Sequence, residues 1–180
     1  MKSNFKYLIM GLLTVALISC SKDDDSPEPI NEEEVITTLR VVLNPGNITL
    51  QSQDLDGEGP NPPTVTVSGS LSANTTYNGS VSFLNELESP AENITEEVEE
   101  EDDEHQVLFV TSGASLSISA LNKDRNGNDL GTQFSLSTAA AGSGALRIVL
   151  RHEPNKPNDG TLIGAGGETD IDVSFNVTVE

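Results

Sequence analysis

Two histidines are the residues best suited to chemistry, and each stands beside a carboxylate. His105 follows Asp102-Asp103-Glu104, and His152 lies in Arg151-His152-Glu153-Pro154. Imidazole nitrogen and carboxylate oxygen together suit a divalent transition metal. His105, His152, Glu104 and Glu153 are therefore the candidate metal ligands. The interval between the histidines is not a metal motif, so this reading requires a fold that brings the two element boundaries together. The competing reading is two surface histidines, one of them ion-paired.

Two loops offer oxygen donors at alternate positions around a glycine. Asp54, Asp56 and Glu58 flank Gly57, and Asp124, Asn126 and Asn128 flank Gly127. Calcium takes six to eight oxygens, often from such short loops. Neither loop is an EF-hand, because the glycine comes two positions early and no glutamate stands at the twelfth position. The competing reading is a tight turn, where Asp, Asn and Gly are favoured for backbone reasons alone. The second loop also reads as the tip of a hairpin.

Enzyme signatures are missing. There is no Gly-x-Ser-x-Gly, and Ser143 lies in Ala141-Gly142-Ser143-Gly144 without a motif around it. No second histidine follows His152-Glu153 at metalloprotease spacing. Gly164-Ala165-Gly166-Gly167 leads into a strand rather than a helix, unlike a dinucleotide loop. The chain reads as a non-enzyme whose cofactor is open, a divalent cation being the candidate. It has no tryptophan and few aromatic residues, which weighs against a sugar-stacking module.

The N-terminus carries an address. Lys2 and Lys6 precede an uncharged apolar run, Tyr7 to Ile18. The run is shorter than the roughly 20 residues that span a bilayer, so it reads as a signal peptide. It ends in Leu17-Ile18-Ser19-Cys20, which resembles the bacterial lipobox. That resemblance implies cleavage before Cys20 and lipid on its thiol. Cys20 is the chain's single cysteine, so lipidation leaves neither a disulfide nor a thiol nucleophile. Ser21-Lys22-Asp23-Asp24-Asp25 resembles the surface-export signal of Bacteroidota lipoproteins and implies display on the outer membrane. The alternative is the periplasmic leaflet.

Removing residues 1–19, which hold two lysines and no acid, leaves 7 basic and 29 acidic residues, a net charge of −22. Such a surface repels nucleic acid and favours cations or cationic partners. Residues 1–19 read as signal peptide, 20–33 as a lipidated acidic tether, and 34–180 as one domain. The tether, with Pro27 and Pro29, lacks the apolar residues to build a core.

From Val35 onward the apolar period is two. Val35, Leu39, Val41 and Leu43 alternate, Asn44-Pro45-Gly46-Asn47 turns the chain, and Ile48 and Leu50 continue as a hairpin. Further short runs centre on Val65, Phe83, Val107, Ile118, Phe134, Ile148 and Phe175. About nine strands without interleaved helices predict an antiparallel, immunoglobulin-like β-sandwich, with an up-and-down barrel as the alternative. One short acidic helix is expected over about 90–102. Ser89-Pro90-Ala91-Glu92 forms a capping box, and Ile94 and Val98 share one face. Asp102, Asp103 and Glu104 crowd its unfavourable end, so either a bound cation or arginine side chains offset them or the helix frays there. The loops over 153–167 and 57–63 are the expected binding loops.

From about Glu32 onward the chain resembles a group of small surface lipoproteins of the Bacteroidota. The carrying segments are Glu33-Glu34-Val35-Ile36-Thr37-Thr38, Asp54-Leu55-Asp56-Gly57, Ala73-Asn74-Thr75-Thr76-Tyr77-Asn78-Gly79, Ser89-Pro90-Ala91-Glu92 with Ile94-Thr95-Glu96-Glu97, Glu104-His105-Gln106, Leu150-Arg151-His152-Glu153-Pro154-Asn155-Lys156 and Gly166-Gly167-Glu168-Thr169-Asp170. The resemblance brings no assigned activity. The expectation is a lipid-anchored outer-membrane protein with a non-enzymatic binding or accessory role. It would capture a ligand or cation, or partner an outer-membrane transporter. The alternative is a structural or adhesive envelope protein with no small ligand.

Overall fold

Alternation decides which way each strand faces. In β1 (Thr38–Asn44), Leu39, Val41 and Leu43 are fully buried, with Arg40 and Val42 only half-buried between them. The computed structural model describes residues 34–57 and 59–180. The signal peptide, Cys20, Ser21 to Asp25, the rest of the tether and Glu58 lie outside the described residues.

The Asn44-to-Asn47 turn forms as expected. Gly46 and Asn47 take positive φ values of 97° and 49°, and β1 pairs antiparallel with β2 (Ile48–Gln53). The elements that follow are β3 (Thr64–Val67), β4 (Thr76–Leu84), α1 (Ile94–Glu100), β5 (His105–Ser112), β6 (Leu116–Ser119), β7 (Gln133–Thr138), β8 (Gly142–His152), α2 (Leu162–Ala165) and β9 (Glu168–Val179). The nine strands build two antiparallel sheets. One has six strands in the order β3-β2-β1-β4-β7-β6, and the other has three in the order β5-β8-β9. This is the expected all-β, sandwich-like architecture.

The inner faces supply the core. Leu39, Val41, Leu50, Tyr77, Phe83 and Leu136 come from the larger sheet, and Val107, Ile148, Leu150, Phe175 and Val177 from the smaller. Each fully buried large apolar side chain contributes about 1.5–3 kcal/mol, so this core carries the fold without a disulfide. Phe109 and Phe134 bridge the sheets with ring centroids 4.5 Å apart. Gly79, opposite Phe134 in the register, leaves room for that ring, since a Cβ there would lie 2.4 Å from it. The compact unit runs from Glu33 to Glu180, and its clustered core lies between Leu39 and Val179. It therefore holds a complete core of its own.

The helix is shorter than the sequence suggests. It begins after Asn93, and no side chain caps its start. Glu92 instead exchanges two backbone hydrogen bonds with Asn85, at 3.0 and 3.1 Å. That bridge keeps the chain extended through the predicted first turn, so the Ser89 capping box does not form. Ile94 and Val98 are buried, as their spacing predicts. β4 outruns its partner β7, which pairs only with Thr76 to Ser80. The Thr95 hydroxyl occupies the vacated edge, accepting from the Phe83 N–H at 2.8 Å and donating to the Phe83 carbonyl at 3.2 Å. One hydroxyl thus docks the helix on the sheet.

The loop over 153–167 lies against the outer face of the small sheet. Leu108 and Val149 pair there and are buried, although they stand outside the main core. Asn158 donates to the Gln106 side chain on that face at 2.6 Å, and Ala165 of α2 is fully buried. This long loop closes over the sheet instead of standing free.

Candidate metal centre

The small sheet brings the two histidines together. β5 begins at His105, β8 ends at His152, and these residues are direct cross-strand partners. The Glu153 N–H donates to the Glu104 carbonyl at 2.7 Å just outside the pair. That bond makes His105 and His152 a non-hydrogen-bonded pair, the kind with closer side chains. Both rings follow the inward-facing series of their strands, and they stack with centroids 4.7 Å apart and planes 22° from parallel. Both residues are buried.

The carboxylates beside them are Glu34 and Asp170. Glu104 and Glu153, the acids adjacent in sequence, are exposed, Glu104 in the turn before β5 and Glu153 in the bend after β8 with a positive φ of 47°. Asp170 reaches the site through a β-bulge. The β8–β9 register passes from Leu150↔Ile171 to Arg151↔Thr169, leaving Asp170 as an extra residue. Strict alternation would send Asp170 outward with Asp172, and the bulge re-aims it. Glu34 comes from the segment that leads into β1. One donor atom from each of Glu34, His105, His152 and Asp170 lies within 4.8 Å of the others.

The geometry around His105 is informative. Its Nδ1 lies 3.3 Å from the Glu101 carbonyl, an oxygen that can only accept, and its Nε2 faces Glu34. Nε2 is 3.0 Å from Glu34 Oε1, yet the approach is too oblique for a hydrogen bond. Glu34 Oε2 is buried and has no hydrogen-bond partner among the described residues. Two potential donor atoms side by side without a hydrogen bond between them are what a shared cation could use. A ligating histidine typically gives its other N–H to a carbonyl, and the Glu101 carbonyl stands within reach of His105 Nδ1 for that bond. His152 Nδ1 and Asp170 Oδ1 are 4.0 Å apart. Tetrahedral zinc with bonds of 2.0–2.1 Å sets donor separations of about 3.3 Å. The Nε2–Oε1 pair is near that value, and binding would draw the wider donors inward by about an ångström or more.

Electrostatics favours a cation. A cation between Glu34 and Asp170 would offset part of the cost of burying two carboxylates near one another. The field extends along the helix. Burial, then the carboxylates of Glu92, Glu34, Glu101 and Glu100, push the Glu97 carboxyl above the usual range.

The second calcium loop has its own cation. Asp124 accepts from the backbone N–H groups of Asn126 and Asn128 at 2.9 and 2.8 Å, and from the Lys156 ammonium at 3.2 Å. Burial raises the Asp124 carboxyl, but the Asn128 bonds and Lys156 outweigh it and hold it below the ordinary range. Its oxygens are thus committed to turn formation and to Lys156. In the first loop, Asp54 accepts from the Asp56 N–H, and Asp56 accepts from the Asn61 side chain at 2.6 Å. Both loops are occupied with Asx-type turn bonds.

Sequence reasoning missed Lys156, which ties three elements together. Besides Asp124, its ammonium donates to the carbonyls of Asp102 and His105. Arg125 binds the Asp102 carboxylate at 2.6 Å and also donates to the Glu100 carbonyl. These two cations meet the helix C-terminus where the crowded acids called for them. Lys156 also fixes the backbone of a candidate ligand.

The chain matches no protein-family model, no curated protein and no solved structure. Its functional reading therefore rests on its own residues.

Proposed function

We propose that this is a lipid-anchored envelope protein with a non-enzymatic accessory role, whose domain captures a divalent transition-metal ion through His105, His152, Glu34 and Asp170. The observation that carries the reading is the buried, oblique approach of His105 Nε2 and Glu34 Oε1, with the second histidine and a bulge-aimed carboxylate beside them. Two imidazoles and two carboxylates suit Zn(II) or Cu(II) and offer no thiolate for Cu(I). The strongly acidic chain concentrates cations near its surface.

The address is the other half of the reading. The lipobox-like Leu17-Ile18-Ser19-Cys20 and the acidic Ser21 to Asp25 support anchoring at the outer membrane, facing outward. An outer-membrane transporter is the partner class that a surface-held cation carrier would serve.

Titration calorimetry with zinc on the chain beginning at Ser21 tests the capture reading. One site per chain with micromolar or tighter affinity is expected, as is its loss in the H105A/H152A double variant. Identical isotherms for the two proteins would return the chain to a structural or adhesive role.

A further inference from the structure

Of the four donors, Glu34 alone stands outside the small sheet. His105, His152 and Asp170 lie on β5, β8 and β9, whereas Glu34 lies four residues ahead of β1 in the larger sheet. It is also where the chain enters the described fold from its N-terminal side. Between Glu34 and Thr38 the chain has no ladder partner, and the Thr37 N–H bond to Leu84 at 3.0 Å is its first backbone tie to β4. The Glu34 side chain is nonetheless only 6% exposed, with one oxygen against His105 and the other buried without a hydrogen bond.

We propose that metal bound at this centre acts as a clasp, fastening the entry segment through Glu34 to the three-stranded sheet. The inference rests on the metal-capture reading and adds a regulated consequence to it. A cation shared between Glu34 and His105 joins the segment ahead of β1 to the small sheet and replaces an approach that makes no hydrogen bond. Metal occupancy then governs how firmly the segment from Glu34 to Ile36 is held, since Thr37 is already tied to Leu84 and Asp54. In a chain anchored through its N-terminus, that segment is the joint between anchor and domain. Zinc loading would therefore stiffen the joint, and metal removal would loosen it.

Hydrogen–deuterium exchange of the chain beginning at Ser21, with and without saturating zinc, tests the clasp. Exchange over residues 34–36 should slow by about tenfold or more in the wild type, with residues 76–84 as an internal reference. In E34Q, zinc should still bind, more weakly, through His105, His152 and Asp170, and exchange over 34–36 should change little. Matching exchange over 76–84 without metal shows that E34Q keeps the fold. If the wild type binds zinc but 34–36 does not respond, or if E34Q slows equally, the clasp is wrong and capture stands. If zinc does not bind the wild type at all, capture fails and the clasp fails with it.

Discussion

Replacing Lys156 by methionine should lower the unfolding free energy by about 3 kcal/mol and the midpoint by roughly 10 °C. The Lys156 side chain is 6% exposed and its partner Asp124 is fully buried. Methionine fills similar space but removes the ammonium, leaving a buried carboxylate and the Asp102 and His105 carbonyls short of a donor. Breaking one side of a buried pair costs more than the pair itself contributes, because the remaining charge is stranded. The pH dependence gives the sign. A carboxyl held low in the folded state stabilises above its unfolded pKa, and that contribution is lost as pH falls through the folded value. Asp124 is such a group. The gap between wild type and K156M should therefore be full at pH 7 and narrow below about pH 4. Chemical denaturation across that range measures it, and an unchanged midpoint at neutral pH would refute the role given to Lys156.

Zinc should raise the thermal midpoint of the wild-type chain. At a free concentration 100 times the dissociation constant, linkage gives about 2.7 kcal/mol, or roughly 8–10 °C for a domain of this size. The rise should be absent in H105A/H152A, whose melt without metal shows whether it still folds. Magnesium should not substitute, because a site with two imidazoles suits transition metals better than a hard, oxygen-seeking ion. The same scan on K156M ties the two predictions together. Lys156 holds the His105 carbonyl, so its loss should reduce the zinc-induced rise as well as the basal midpoint.

Much of the fold was legible because period-two burial is local. Leu39-Val41-Leu43 and Val173-Phe175-Val177-Val179 show their inward faces without tertiary information. The helix start was not legible. Ser89 to Glu92 reads as a capping box, but the backbone bridge between Glu92 and Asn85 overrides it. The site was half legible. His105 and His152 were found because of their residue type and their places at strand boundaries. Their carboxylates were not, since sequence proximity favoured Glu104 and Glu153. Glu34 is distant along the chain, and the alternation of Asp170, Ile171, Asp172 and Val173 sends Asp170 outward until a bulge turns it. A bulge leaves no mark in a hydrophobic pattern. The Asp124 loop carried a calcium-like pattern because carboxylates and amides that hold a turn are also those that hold calcium. In the fold, Lys156 arrives from another loop and takes an Asp124 oxygen.

The proposed function joins an address at Cys20 to cation capture at His105, and the centre at His105 is the part on which that proposal depends. X-ray absorption at the zinc edge of the loaded wild-type chain reads the coordination shell directly. The expected spectrum has N/O donors at about 2.0–2.1 Å, outer-shell scattering from two imidazoles, and no sulfur. A shell of oxygens alone, without imidazole scattering, would contradict the assignment of His105 and His152 as ligands.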